Sequence, residues 1–239
     1  MPTSSPELNP REIRVLLRGE PGEIAAWTGQ WSARRFALHV MVIIIGAGLY
    51  GAAMGWWRDP QQALYVAIKF PLIILLTTLG NAVLNAMLAP LLGLNLPFRQ
   101  SGLAVLMSFT IASAILGSFS PVIAFLIWNA PDMAVKNFSG STYSLILLAH
   151  VSVIALAGVT GNVRLFQLLK QLGGSRSVAR RVLFAWLAVN LFLGSQLSWI
   201  LRPFIGSPTL PVEFVRQAAF HGNFFEAVFH SLQQIIRFN

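Results

Sequence analysis

Five long apolar stretches, near residues 36–57, 63–92, 102–128, 143–163 and 182–201, constrain this chain more than any other feature. Together they occupy more than half of the 239 residues. A water-soluble domain cannot bury that much continuous apolar sequence, and a helix needs about 20 such residues to cross roughly 30 Å of hydrocarbon. Inside lipid, backbone N–H and C=O groups must be satisfied within the segment, so each run is read as a helix. The expected fold is all-α: a polytopic membrane bundle of five transmembrane helices, with interfacial helices at both ends. It divides into a cytoplasmic N-terminal segment (1–35), the five-span bundle (36–201) and an outer-side tail (202–239).

Charge agrees with a lipid solvent. Only 10% of residues are charged, against about 25% in soluble domains, because a charge at the centre of a span costs about 2.5–3.5 kcal/mol on insertion scales. The net charge of +9 would by itself suit nucleic acid. Its distribution argues otherwise: 11 of the 17 Lys and Arg residues fall in Arg11–Arg35, at Arg99 and in Arg164–Arg181, flanking one side of the spans. That pattern is a positive-inside bias, with attraction to anionic headgroups, and no nucleic-acid partner is expected. Cysteine is absent, which excludes disulfides, thiolate metal sites and iron–sulfur clusters. The first apolar run begins only at Phe36 and is long enough to span, so it reads as a retained anchor rather than a cleaved signal.

With the N-terminus inside, the inner segments carry 11 Lys and Arg and the outer segments 5, which predicts N-in, C-out in a bacterial cytoplasmic (inner) membrane. Trp56, Trp57, Trp128, Tyr143 and Trp199 then lie at outer span ends, and Trp27, Trp31 and Trp186 near inner ones, where amphipathic rings are favoured. Ile24, Trp27 and Trp31 at helical spacing after Pro21 predict an inner-leaflet helix over 21–32. From Asn223, a plausible N-cap, the tail places Phe225, Val228, Phe229, Leu232 and Ile236 on one face. It could pack on the bundle or dock a partner.

Polar side chains inside the spans are the candidate functional residues. Asn81 and Asn85, one helical turn apart, face the same side of span two, and Asn190 on span five lies at comparable depth. Unpaired amides are costly in hydrocarbon, so the three should pair between helices or line a polar path. Toward the outer side, Lys69, His150, Ser195 and Gln196 reach similar depth, with Arg202 just above. Lys69 precedes Phe70-Pro71, and the preferred reading is a kink from which its ammonium snorkels to headgroups. Gly46-Ala-Gly48-Leu-Tyr-Gly51 spells a dinucleotide fingerprint but lacks the preceding strand that such a site needs. Gly51 and Gly55, spaced G-x-x-x-G, instead permit close approach of another helix. His39 and His150 sit at different depths and cannot share a metal or haem, so neither a metal nor a cofactor is expected.

No acidic residue lies within a span, which weighs against a proton pump, and no G-x-S-x-G, H-E-x-x-H or P-loop motif is present. The order of parts resembles the Yip-domain family of five-span membrane proteins. The resemblance rests on the N-terminal region, Lys69-Phe70-Pro71-Leu72 at the second span, the short turn Leu92-Gly93-Leu94-Asn95-Leu96-Pro97-Phe98-Arg99-Gln100 and a polar third span containing Pro121. It covers roughly 36–201 and implies a non-enzymatic role in membrane organisation or partner recruitment. The Arg202–Pro208 turn and the tail beyond it depart from the pattern. The expected function is therefore an organising or accessory subunit of a membrane complex, with lipid and other membrane proteins or a second copy as partners. The alternative is a small-solute permease or a lipid-handling protein of scramblase type; a membrane-embedded enzyme would need the outer polar layer to converge on one cavity.

Overall fold

The computed structural model describes residues 32–131, 140–173, 175–206, 210–227, 229 and 233, with side chains of the fourth helix from residue 142. Its five long helices are α1 (Ala33–Trp56), α2 (Pro60–Leu91), α3 (Phe98–Trp128), α4 (Gly140–Gly173) and α5 (Arg176–Leu201). Each is long and apolar enough to cross a bilayer, and no strand occurs among the described residues. The chain is a multi-pass membrane protein. The predicted interfacial helix over 21–32 lies outside the described residues.

Local chemistry sets the helix ends. Asp59 caps α2, its side chain accepting from the Gln61 N–H at 2.7 Å, and Pro60 occupies the first turn, where no N–H is needed. At the other end of α2, Gly93 adopts φ +91°, while Leu94 N–H reaches Ala89 O at 2.9 Å and Gly93 N–H reaches Pro90 O at 3.0 Å. This paired arrangement satisfies carbonyls that a helix end would otherwise orphan. The expected span limits need one main correction. The segment 164–181 is expected on the inner side between the fourth and fifth spans, but most of it is helical: α4 continues to Gly173, and α5 starts at Arg176. Charge marks where a helix leaves lipid, not where it stops being a helix.

Helix α1 packs on α2 and α3, α3 on α4, α2 on α5, and α4 on α5, while α2 also touches α3 through the centre. Small residues set the crossings, as close approach without a hydrophobic drive requires. A Cβ on Gly51 would stand 2.5 Å from Val66 O, and one on Gly55 would stand 2.6 Å from Gln62 O, so the predicted G-x-x-x-G pair forms the α1–α2 seam. The α1–α3 seam uses Gly46 against the Ser113 carbonyl and Gly117 against Gly46 itself, and Gly161 meets Ser108 between α4 and α3. Two apolar clusters follow. One joins Leu94, Leu165, Leu169, Val182 and Trp186 at the basic end; the other joins Tyr50, Met54, Trp57, Ile123 and Ile146 at the opposite end.

Helices run unbroken through Pro71 and Pro121. Proline 121 leaves the Gly117 carbonyl without its helical donor, and the Ser120 hydroxyl supplies one at 2.6 Å. Lys69 lies well inside α2.

Candidate functional site: two intramembrane polar layers

The first layer joins α2 and α5 in the half of the bundle nearer the basic end. Asn81 donates to Thr77 O at 2.9 Å along its own helix and to Asn190 Oδ1 at 3.2 Å across to α5. Asn85 donates to Asn81 Oδ1 at 3.4 Å. The three predicted asparagines are thus brought together. Asn162 of α4 faces the same small cavity, which sequence reasoning missed, and donates to Gly158 O at 2.8 Å. The space holds the centre of about one water molecule, 10 Å³. Asn85 and Trp186 both line it, and Asn85 Oδ1 and Trp186 Nε1 have no hydrogen-bond partner among the described residues.

The second layer is not the convergent cluster the sequence suggested. Lys69 is fully buried rather than snorkelling to headgroups. Its ammonium donates to Pro203 O at 3.0 Å and to Glu213 O at 3.3 Å, both in the segment after α5, and lies 5.1 Å from the Phe214 ring centroid and 5.8 Å from that of Tyr65. Long-stem flexibility is used, but the destination is the tail, not water. Gln62, two turns earlier on the same face, donates to Pro203 O at 3.0 Å and Phe204 O at 2.8 Å. Arg58 donates to Leu210 O at 3.1 Å. Lys69 and Gln62 on α2, with Arg58 in the turn before it, thereby clasp backbone carbonyls of the tail, which helix and sheet ladders leave free. Gln62 was missed, although its spacing of seven from Lys69 was the available clue.

His150 goes elsewhere: its Nδ1 is 3.0 Å from the Tyr50 hydroxyl, between α4 and α1, and its Nε2 has no partner among the described residues. His39 Nδ1 lies 2.9 Å from Thr110 Oγ1. Because that hydroxyl donates to Leu106 O at 2.8 Å, His39 Nδ1 must carry the donated proton. Gln196, half-buried on α5, joins neither layer by a hydrogen bond among the described residues. Also among those residues, no three His, Asp or Glu side chains gather as metal ligands would. Asn223 caps the tail helix as expected, accepting from Glu226 N–H at 2.9 Å. Phe225 then stacks on Phe192 of α5, centroids 5.8 Å apart, while Val228, Leu232 and Ile236 lie outside the described residues.

Compared with protein-family models, characterised proteins and solved structures, the chain finds no match.

Proposed function

We propose that this protein is a non-catalytic organising or accessory subunit of a membrane complex, held in a bacterial inner membrane with its N-terminus inside and its C-terminus outside. One observation carries the reading: α5 is the least apolar span yet the least covered. Its mean hydropathy is 1.4 against 1.9–2.0 for the others, and 6% of its apolar window is buried against 39% in α1–α3. A helix facing only lipid should show the reverse, because polar groups in hydrocarbon are costly. Phe184, Ala188 and Leu191 form an exposed stripe at helical spacing, and Ser195, Gln196 and Ser198 are half-exposed nearby. Such a mixed face suits a neighbouring protein helix. The Yip-domain resemblance belongs to the same reading.

The test is photo-crosslinking in intact membranes. A probe at Leu191 is expected to give protein adducts, whereas one at Leu148 on the apolar face of α4 should give lipid adducts. Protein adducts at neither position, or equally at both, would overturn the proposal.

The alternative, a permease or lipid-handling protein, draws on the asparagine-lined cavity. Space for a single water supports a structural role better than a conduit. Flux in reconstituted liposomes that falls with Asn81→Leu would move the balance to this alternative.

A further inference from the structure

The end of α5 carries a cluster that neither polar layer uses. The Arg202 guanidinium carbon lies 3.2 Å from the Trp199 ring centroid, and that of Arg216, arriving from the tail, lies 4.9 Å from the same centroid. Both arginines and the tryptophan are half-buried. Four of their donors, Trp199 Nε1, Arg202 Nε, Arg216 Nε and one terminal nitrogen of Arg216, are buried and have no hydrogen-bond partner among the described residues. Burial and the neighbouring Arg216 charge both push the Arg202 guanidinium below its ordinary value. Glu226 is an acidic group near this cluster: a Cβ on Gly222 would stand 3.8 Å from Trp199 Cζ2 and 3.4 Å from Glu226 Oε2. Its Oε2 is 3.5 Å from Asn223 Nδ2.

Two like charges drawn over one indole, with donors left over, are an unbalanced arrangement. The ring faces attract the cations, but the cations repel each other and their buried N–H groups lack acceptors. A single oxyanion between the guanidinium edges removes both penalties, since planar forks bind phosphate-type oxygens in pairs. We propose that Arg202, Arg216 and Trp199 form a binding site for a phosphate-type oxyanion, supplied either by a lipid headgroup or by a free anion. Position favours the headgroup source, because an aromatic ring at a span end sits at headgroup level. The site is independent of the accessory-subunit reading and survives its failure.

The full chain in neutral maltoside detergent tests it at constant ionic strength. Thermal unfolding is followed while titrating, in separate arms, inorganic phosphate, short-chain phosphatidylglycerol and short-chain phosphatidylcholine. Saturable stabilisation by phosphatidylglycerol beyond phosphatidylcholine identifies a headgroup, and saturable stabilisation by phosphate identifies a free anion; both support the site if R202Q/R216Q raises the half-saturating concentration about tenfold or more. Should that double variant not fold, R202K and R216K carry the test. Each keeps charge but loses the fork, and an increase of about fivefold is expected. No saturable response in any arm, or half-saturation unchanged by the variants that fold, would overturn the proposal.

Discussion

Replacing Lys69 by Met should loosen the tail without unfolding the bundle. Helix α2 has 32 residues, so it is about 48 Å long and exceeds a 30 Å hydrocarbon core by about 9 Å at each end if centred. Lys69 then sits about 4–5 Å inside the hydrocarbon boundary. Burying an ammonium there costs several kcal/mol, offset by two hydrogen bonds from a charged donor, each worth about 1.5–3 kcal/mol, and by two aromatic faces. Methionine fills similar volume and carries no desolvation cost. Global stability should therefore change little, but the net attraction between α2 and the tail should fall by about 2 kcal/mol, or about thirtyfold in the population of the undocked tail.

The absence of cysteine makes the assay direct. A single cysteine at half-buried Val212, next to Glu213 of the clasp, reports tail opening through its rate of maleimide labelling. Labelling in K69M should be about thirtyfold faster than in the Lys69 parent, provided opening and closing outpace the reagent. Gln62→Leu should also accelerate labelling, and the two effects should be less than additive because both donors share Pro203 O. An unchanged rate in K69M would refute the clasp and return Lys69 to a snorkelling role.

Three further outcomes follow from the packing and polar contacts. A double-mutant cycle with Asn81→Leu and Asn190→Leu in detergent unfolding should give a coupling of about 0.6–1.7 kcal/mol, and zero coupling would contradict the interhelical bond. Gly46→Val should prevent recovery of folded protein because its Cβ meets the Ser113 backbone, while Gly158→Ala, with nothing within 4 Å, should be neutral or stabilising by up to about 1 kcal/mol. Equal tolerance at both glycines would mean that α1 and α3 do not cross as described. Reporter fusions at both chain ends should locate them on opposite sides of the membrane, and matching signals would contradict the five-span order.

What could be read from the letters depended on whether a property was local. Hydropathy over twenty residues identifies a span, and G-x-x-x-G identifies a seam, so the five helices and the Gly51–Gly55 contact were legible. The Asn81–Asn190 pairing was legible too, because depth along two helices can be counted from their ends. Gln62 was not, since its partners are carbonyls of Pro203 and Phe204, some 140 positions away, and backbone acceptors carry no sequence signal. Lys69 was misjudged for the same reason. Its burial depends on a tail that folds back over α2, and nothing in Lys69-Phe70-Pro71 announces that return. Likewise, Gly46 and Gly117 gain meaning only when α1 and α3 are seen to cross.

The tail-bearing end of the bundle raises a charge problem that its contacts resolve in part. Arg58, Lys69, Arg202 and Arg216 all lie there, opposite to the end where Arg34, Arg35, Arg99, Arg180 and Arg181 would be retained by a positive-inside bias. Cations on the less favoured side require a local reason. For Lys69 the reason is backbone: it donates to tail carbonyls, so its charge is solvated by dipoles. Dipolar solvation leaves the positive potential in place. Arg202 and Arg216 add to that potential, with N–H groups that lack acceptors among the described residues. An anion approaching this end therefore meets two guanidinium groups on Trp199 with hydrogen bonds left to give.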